Sequence, residues 1–320
     1  MLKRYDLTGR KFGSLLVKKF HKYIFIKSRN KNLSTWECDC KCGNLIYVKR
    51  YNLIKGTTRH CGCEYTKKYE IDETYFEKIN TQDKAYFFGF ILTDGNIDYR
   101  KSNKRITIKI GLKDESILKT FKKYLNTNKP LEYHKRRFKM YGDYKVKSGQ
   151  TVAINISNIK MVEDIIKLGL KPAKTKTVTY PSSKVIPHNL MHHFIRGVFD
   201  GDGTSGRGHI QFASGSHKFL KGFKKYLKKY QINSYIVSYN RIVKATSSRS
   251  IYWVLCINAS FSGSDKSGIR RKKKSGRFYA IPKSKQKLNQ KLFFKTIYKN
   301  CHKDLFLKRK KEKIYSNIFR

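Results

Sequence analysis

The sequence predicts an α+β protein built from two pseudo-symmetric halves behind a small Cys-rich β module. Three observations predict it. An apolar segment ending in Asp-Gly occurs twice, each copy precedes the same series of strand and helix signals, and five of the seven cysteines crowd into residues 38–63.

Residues 1–65 form the first expected unit, with short strand-like runs at 14–17 and 45–48 separated by Gly turns. Its cysteines lie in WECDCKCGN (Cys38, Cys40, Cys42) and HCGC (Cys61, Cys63). Zinc binds such soft thiolates tetrahedrally, and a closed four-Cys site stabilises a module too small for a large core. The expected ligands are Cys40, Cys42, Cys61 and Cys63, with Cys38 beside Trp36 as packing or as a substitute ligand. Because C-x-C is not the commoner C-x-x-C spacing, buried free thiols are the competing reading. Cys256 and Cys301 lie apart and are expected to be buried thiols. An odd, clustered set fits metal ligation in a reducing compartment better than a disulfide framework. A polar connector, 66–83, follows.

The halves are expected at 84–178 and 191–320, joined by a Pro- and Ser-rich linker at 179–190. AYFFGFILTDG ends at Gly95 and HHFIRGVFDGDG at Gly203. Next come period-two stretches, with Ile106, Ile108 and Ile110 on one strand face and Ile210 and Phe212 on the other half's. LKTFKKYL (118–125) and LKGFKKYL (220–227) then read as matched amphipathic helices, and TVAINIS (151–157) and IYWVLCINAS (251–260) as further strands. Each half passes through a basic stretch to a Pro, LKPAKTKTVTYP (170–181) and IRRKKKSGRFYAIP (269–282). Residues 284–320, including LFLKRKKEKI, read as helical; a solvated basic tail is the competing reading.

A single Asp-Gly pair is first a turn signal. Two pairs, each closing an apolar helix and opening a matched series, indicate a shared role. Gly95 and Gly203 are expected in the left-handed conformation that commonly ends a helix. Asp94 and Asp202 then sit at helix C-termini, where the macrodipole disfavours a carboxylate by about 0.3–1 kcal/mol. A divalent cation offsets that repulsion, and magnesium is the usual one in phosphodiester chemistry. Gly89 and Gly197 are small enough to let the two helices approach closely and bring both acids to a pseudo-twofold centre.

FFGFILTDG (87–95) and IRGVFDGDG (195–203) resemble the two copies of the motif that names the LAGLIDADG homing endonucleases, and the resemblance covers roughly residues 71–320. It implies αββαββα halves forming a saddle, each laying a four-stranded sheet into a DNA major groove. It also implies that Asp94 and Asp202 bind the catalytic Mg²⁺ or Mn²⁺, and that a lysine from the basic stretch stands near each centre. Lys174 and Lys274 fit that place best, although neighbouring lysines leave the choice open and a plain phosphate contact or surface charge is the competing role. The first copy departs at Leu92, where the second has Asp200; that earlier acid is usually not the metal ligand. The N-terminal run from YDLTGRKFGSLLV to CGC resembles the DNA-binding module, here zinc-ribbon-like, attached to many phage homing nucleases. It implies an accessory grip on DNA.

Charge agrees with a polyanionic partner: 72 Lys and Arg face 22 Asp and Glu, a formal net charge of +50. Such an excess repels itself unless a polyanion neutralises it. Lys-rich composition from an AT-rich genome is the competing reading. No apolar run approaches the roughly 20 residues of a spanning helix, and no secretory signal is evident, so an intracellular protein without a membrane partner is expected. Arg105, Thr107, Lys109, His209 and Gln211 lie on outward strand faces, where a ribbon in the major groove meets base edges; a solvated face is the alternative. The expected function is a monomeric, site-specific double-strand DNA endonuclease with a long, partly asymmetric target, from a mobile intron or a free-standing phage gene. The alternative is a binding protein of the same fold without cleavage, an intron RNA maturase or a transcription regulator. Retention of both acids favours the enzyme. An intein is not expected, since neither the initial Cys or Ser nor a terminal His-Asn is present.

Overall fold

The computed structural model describes residues 6–26, 30–62, 69–100, 103–136, 138–141, 144–147, 149–206, 209–243, 248–257 and 283–319. The chain divides into two compact units, Met1–Lys68 and Tyr69–Arg320.

In the first unit, strands β1 (Lys11–Phe12), β2 (Leu15–Ile26), β3 (Lys31–Cys40) and β4 (Leu45–Lys49) form an antiparallel sheet in sequence order, followed by the short helix α1 (Arg50–Ile54). Gly13 has φ +63°, and a Cβ there would lie 2.6 Å from the Arg59 carbonyl oxygen, so this tight turn requires glycine. The core is small: Leu7, Leu15, Val17, Trp36, Cys38, Cys40, Val48 and Leu53. A unit of this size gains from a further staple.

The second unit contains the two expected halves. The first runs α2 (Gln82–Asp94), β5 (Gly95–Arg100), β6 (Asn103–Gly111), α3 (Glu115–Tyr124), β7 (Glu132–His134), β8 (Phe138–Tyr141), β9 (Tyr144–Lys147), β10 (Thr151–Ile156) and α4 (Ile159–Lys167). The second runs α5 (Met191–Asp202), β11 (Gly203–Gly206), β12 (His209–Ser214), α6 (His217–Lys229), β13 (Ser234–Val243), β14 (Ser248–Ile257), α7 (Lys283–Ile297) and α8 (Lys308–Phe319). Their sheets have matching orders, β5-β6-β10-β7 and β11-β12-β14-β13. This is the αββαββα arrangement expected, with a separate β8–β9 hairpin inserted in the first half.

Local sequence explains the elements. Ile106, Ile108 and Ile110 are buried while Lys109 between them is exposed, as a half-buried strand requires. The matched helices bury Ile117, Leu118 and Phe121 in α3, and Phe219, Leu220, Phe223, Tyr226 and Leu227 in α6. Ser216 caps α6 by accepting from the Phe219 amide at 3.3 Å, and Asn158 caps α4 by accepting from the Met161 amide at 2.8 Å.

Two expectations need correction. Gly95 and Gly203 are extended (φ −81° and −70°), not left-handed, because each helix passes directly into a strand. Glycine is still required, since a Cβ would lie 2.5 Å from the Ile91 carbonyl oxygen at Gly95 and 2.6 Å from that of Phe199 at Gly203. The stretch read as a connector contributes Tyr75, Phe76 and Ile79 to the core of the second unit, and Tyr75 donates to Asp83 at 2.7 Å. The basic C-terminal stretch is helical as expected, and α7 and α8 bury Phe293, Ile297, Ile314 and Ile318. Among the described residues no helix is long and apolar enough to cross a membrane.

Candidate active site

The site begins with two glycines. A Cβ on Gly89 would overlap the Phe194 carbonyl, and one on Gly197 would overlap the Tyr86 carbonyl, so α2 and α5 touch backbone to backbone. Their apolar residues, including Phe87, Phe88, Phe90, Ile91, Phe194, Ile195 and Phe199, are buried. Gly201 packs on Thr93, and a Cβ there would lie 2.9 Å from Asp94 Oδ2. The two helix ends therefore emerge together, bringing Asp94 and Asp202 into one electrostatic site.

Burial, then the neighbouring Asp202 charge, raises the Asp94 carboxyl to about 6; Lys310 and Lys174 oppose that rise, and Asp114 adds to it. Asp202 is also raised by burial, against Lys310 and Lys174, although one side of it remains open to solvent. Both acids sit at negative helix ends. An oxygen donor pair crowded in this way suits a hard divalent cation.

Lys174 opens a short 3-10 turn, Lys174–Lys176, and its ammonium donates to the Gly95 carbonyl. The preceding Ala173 is held left-handed at φ 53°, a conformation that costs a non-Gly residue about 1–2 kcal/mol. In the second half the corresponding place belongs to Lys310. Its Nζ donates to the carbonyls of Phe199 (2.9 Å), Gly201 (2.7 Å) and Gly203 (2.8 Å). Gly95 and Gly203 are equivalent, so Lys174 and Lys310 are related by the internal repeat. Burial lowers the pKa of both lysines, and Asp94 and Asp202 counteract that fall in each. Lys274 lies outside the described residues.

Helix α8 delivers Lys310. Its start is fixed by Asp200, whose Oδ2 accepts from the Leu307 amide at 2.7 Å and from the Tyr86 hydroxyl at 2.8 Å. Burial raises the Asp200 carboxyl to about 6, against these hydrogen bonds. Asp200 is thus a buried structural acid, and Leu92 at its counterpart position is an apolar core residue.

Both sheets present an outward face beginning at the carboxylates. Thr107 on β6 donates to Asn155 on β10 at 2.6 Å, with Arg105 and exposed Lys109 along the same face. On β12, His209 and Gln211 are half-buried, and Gln211 donates to Cys256 Sγ at 3.7 Å. A groove of about 640 Å³ joins Asp202 and Lys174 to Ala213, Tyr239 and Tyr252 on the second sheet.

Residues 189–261 match the LAGLIDADG-like domain. That LAGLIDADG-like stretch spans α5 to β14 and includes Asp202. No curated protein matches the chain. Among solved structures, the chain is similar to the homing endonuclease I-WcaI bound to its DNA recognition sequence, at 12% identity and TM-score 0.45, over 76% of this chain and 91% of that one. It is also similar to I-DmoI in complex with DNA and Ca (13% identity, TM-score 0.34, 58% of this chain and 84% of that one). The I-LtrWI LAGLIDADG homing endonuclease bound to target DNA matches at 10% identity and TM-score 0.33, over 77% of this chain and 97% of that one.

In the first unit, the sulfurs of Cys40, Cys42 and Cys61 lie within 4.8 Å of one another, with Cys42 and Cys61 at 3.3 Å. Asn44 donates to Cys61 Sγ at 3.6 Å. Three converging thiols fit a soft metal such as zinc. Cys63 lies outside the described residues. Cys38 is buried, donates to the Trp36 carbonyl at 3.7 Å and has its thiol pushed up to about 11 by burial, so it packs the core. Cys256 is a buried thiol; Cys301 is only half-buried.

Sequence reasoning missed Lys310, the Asp200 link to α8, and the Tyr239–Tyr252 wall of the groove. One signal could have found the lysine. Leu168-Gly169-Leu170-Lys171 shortly precedes Lys174, and Leu305-Phe306-Leu307-Lys308 shortly precedes Lys310.

Proposed function

We propose that this chain is a site-specific, divalent-metal-dependent endonuclease that cuts both strands of duplex DNA. The observation that carries the reading is the convergence of Asp94 and Asp202 with two repeat-related lysines, Lys174 and Lys310, at the paired ends of α2 and α5. A pure binding protein needs neither acid at a helix end that repels it.

Asp94 and Asp202 would hold Mg²⁺ or Mn²⁺. When bound, the cation supplies a lowered water pKa and charge neutralisation at the scissile phosphate. Lys174 and Lys310 hold the carbonyls that flank the acids and set a positive field where phosphate oxygens would lie. Lys310 takes the second-half role for which the sequence suggested Lys274. The strand faces carrying Arg105, Thr107, Lys109, His209 and Gln211 would lie along the major groove, and the excess basic charge would bind phosphates with a steep salt dependence. Because one chain holds both carboxylates, a monomer suffices, and two non-identical halves imply an asymmetric target. Cys40, Cys42 and Cys61, with Cys63 as fourth ligand, would hold structural zinc in an accessory DNA-binding module.

The test is cleavage in Mg²⁺ of a duplex selected by binding from a random pool, comparing native protein with Asp94→Asn and Asp202→Asn. Double-strand cuts lost in both variants while binding persists support the reading. A selected duplex that is bound and left uncut by native protein overturns it in favour of the binding-only alternative.

A further inference from the structure

The two outward strand faces are equivalent by register and opposite in chemistry. In the first half, the cross-strand row beside Gly95 is Lys109, Ala153 and Glu132; in the second, the row beside Gly203 is Ala213, Val254 and Val237. A row carrying two charged side chains is thus replaced by an apolar one at the equivalent register position. The next row outward repeats the contrast: Thr151 and His134 in the first half, Tyr252 and Tyr239 in the second.

The remaining neighbours agree. Thr107, Asn155 and Glu132 form a hydrogen-bonded chain, Thr107 to Asn155 at 2.6 Å and Asn155 to Glu132 at 2.7 Å. Their counterparts are Gln211, Cys256 and Val237. Tyr239 and Tyr252 stack at 5.4 Å with an interplanar angle of 17°, and both line the groove that contains Asp202 and Lys174. No Lys or Arg occupies positions 213, 235, 237, 239, 252, 254 or 256, in a chain with 72 such residues. Phosphate attraction therefore does not explain this patch.

The major groove offers one apolar group, the C5 methyl of thymine. We propose that the second half reads a thymine-rich half-site through these methyl groups, using Ala213, Val237, Tyr239 and Tyr252, while the first half reads its half-site by hydrogen bonds from Lys109, Thr107 and Asn155. This rests on the DNA-cutting reading above and names the substrate that reading leaves open. The occupant follows from continuity: Ala213, Tyr239 and Tyr252 wall the groove that ends on Asp202, with Val237 in the adjoining cross-strand row, so the base pairs flanking a phosphate held there meet these side chains first.

The test uses full-length protein and duplexes selected from a random pool with Ca²⁺ in place of Mg²⁺, so that they remain uncut. Each thymine is then replaced by deoxyuridine, which keeps pairing and removes only the methyl, one half-site at a time. Burial of one CH₂-sized group predicts about a fourfold loss of affinity per contacted methyl. That loss is expected in one half-site, with less than twofold change in the other. Val237→Asn should remove the sensitivity at one or more thymines of that same half-site and leave the opposite half-site unchanged. Equal sensitivity in both half-sites, none in either, or sensitivity untouched by Val237→Asn overturns the proposal while the endonuclease reading stands. Failure to enrich any duplex overturns both.

Discussion

Arg309 on α8 grips Asp114 in the first half through two hydrogen bonds, Nε to Oδ1 at 2.7 Å and Nη2 to Oδ2 at 2.6 Å. The next residue, Lys310, binds three carbonyls at the end of α5 in the second half. One turn of helix therefore ties both halves together at the carboxylates. Asp114 is only 7% exposed, so removing its partner leaves a poorly hydrated charge. Arg309→Met is expected to cost about 1.5–3 kcal/mol, the range for hydrogen bonds to charged groups. Urea unfolding should show a lower midpoint at unchanged slope. An unchanged midpoint would remove α8 from the role of clamp.

The lysines make separate predictions. Lys174→Met and Lys310→Met should each lower the cleavage rate by about 10²-fold, the loss seen for a preorganised transition-state donor. Binding of the same duplex should fall far less. Lys310→Met should also lower stability, since it leaves three carbonyls without their ammonium, whereas Lys174→Met releases only Gly95. Rapid-mixing cleavage alongside equilibrium binding separates the effects. Native-rate cutting by Lys310→Met would return attention to Lys274.

The contrast between these lysines shows how far the sequence reaches. Asp94, Asp202, Gly89 and Gly197 were legible because a repeated apolar helix with a glycine at the same place in each copy admits few packings. Lys174 was legible because it lies in the short basic stretch before Pro181 where the family resemblance implies a lysine near the acids. Lys310 was not, because α7 and the turn before α8 intervene, and only the three-dimensional path returns α8 to α5. The extended backbone at Gly95 was hidden for a similar reason: the sequence shows that a helix stops, while the strand pairing of Gly95 with Ile108 decides how. Tyr75 and Phe76 lie in a charged segment, and only packing against Phe121 reveals them as core.

Gly89→Ala and Gly197→Ala place a methyl group where the facing helix has a carbonyl oxygen. Relief requires moving two backbones apart, the rigid kind of overpacking, and each substitution should cost about 3 kcal/mol. Cutting should suffer more than duplex binding, because separation acts directly on Asp94 and Asp202. Calorimetry and the cleavage-to-binding ratio measure the two consequences. A stable, fully active Gly89→Ala protein would contradict the close crossing.

Zinc content tests the first unit. Native protein should retain about one equivalent of zinc after dialysis. Cys61→Ser should lose it and unfold the first unit at a lower temperature, because its core is small. Tyr69–Arg320 has its own core, so its thermal transition should stay in place. Metal analysis and a two-transition melting curve read these outcomes; zinc-free native protein with an intact first transition would leave the thiols as packing residues.

His193 supplies a pH dependence that does not pass through the carboxylate centre. Its ring is 4% exposed, and Nδ1 accepts from Arg196 at 2.8 Å, so it must be neutral there. Burial first, then the charges of Arg196 and His192, lowers its pKa from 6.5 to about 3. The unfolded chain takes up a proton below about pH 6.5 that the folded one refuses until about pH 3. The His193 contribution is therefore complete above pH 6.5 and is lost progressively as pH falls toward 3. In His193→Asn, an amide oxygen can still accept from Arg196 without titrating. The stability difference between native and variant, from urea unfolding at several pH values, should shift in favour of the variant as pH drops below 6.5. A difference that stays constant from pH 7 to pH 4 would mean that the ring is protonated in the folded protein, and the Arg196 contact would then have to be rebuilt around a different donor.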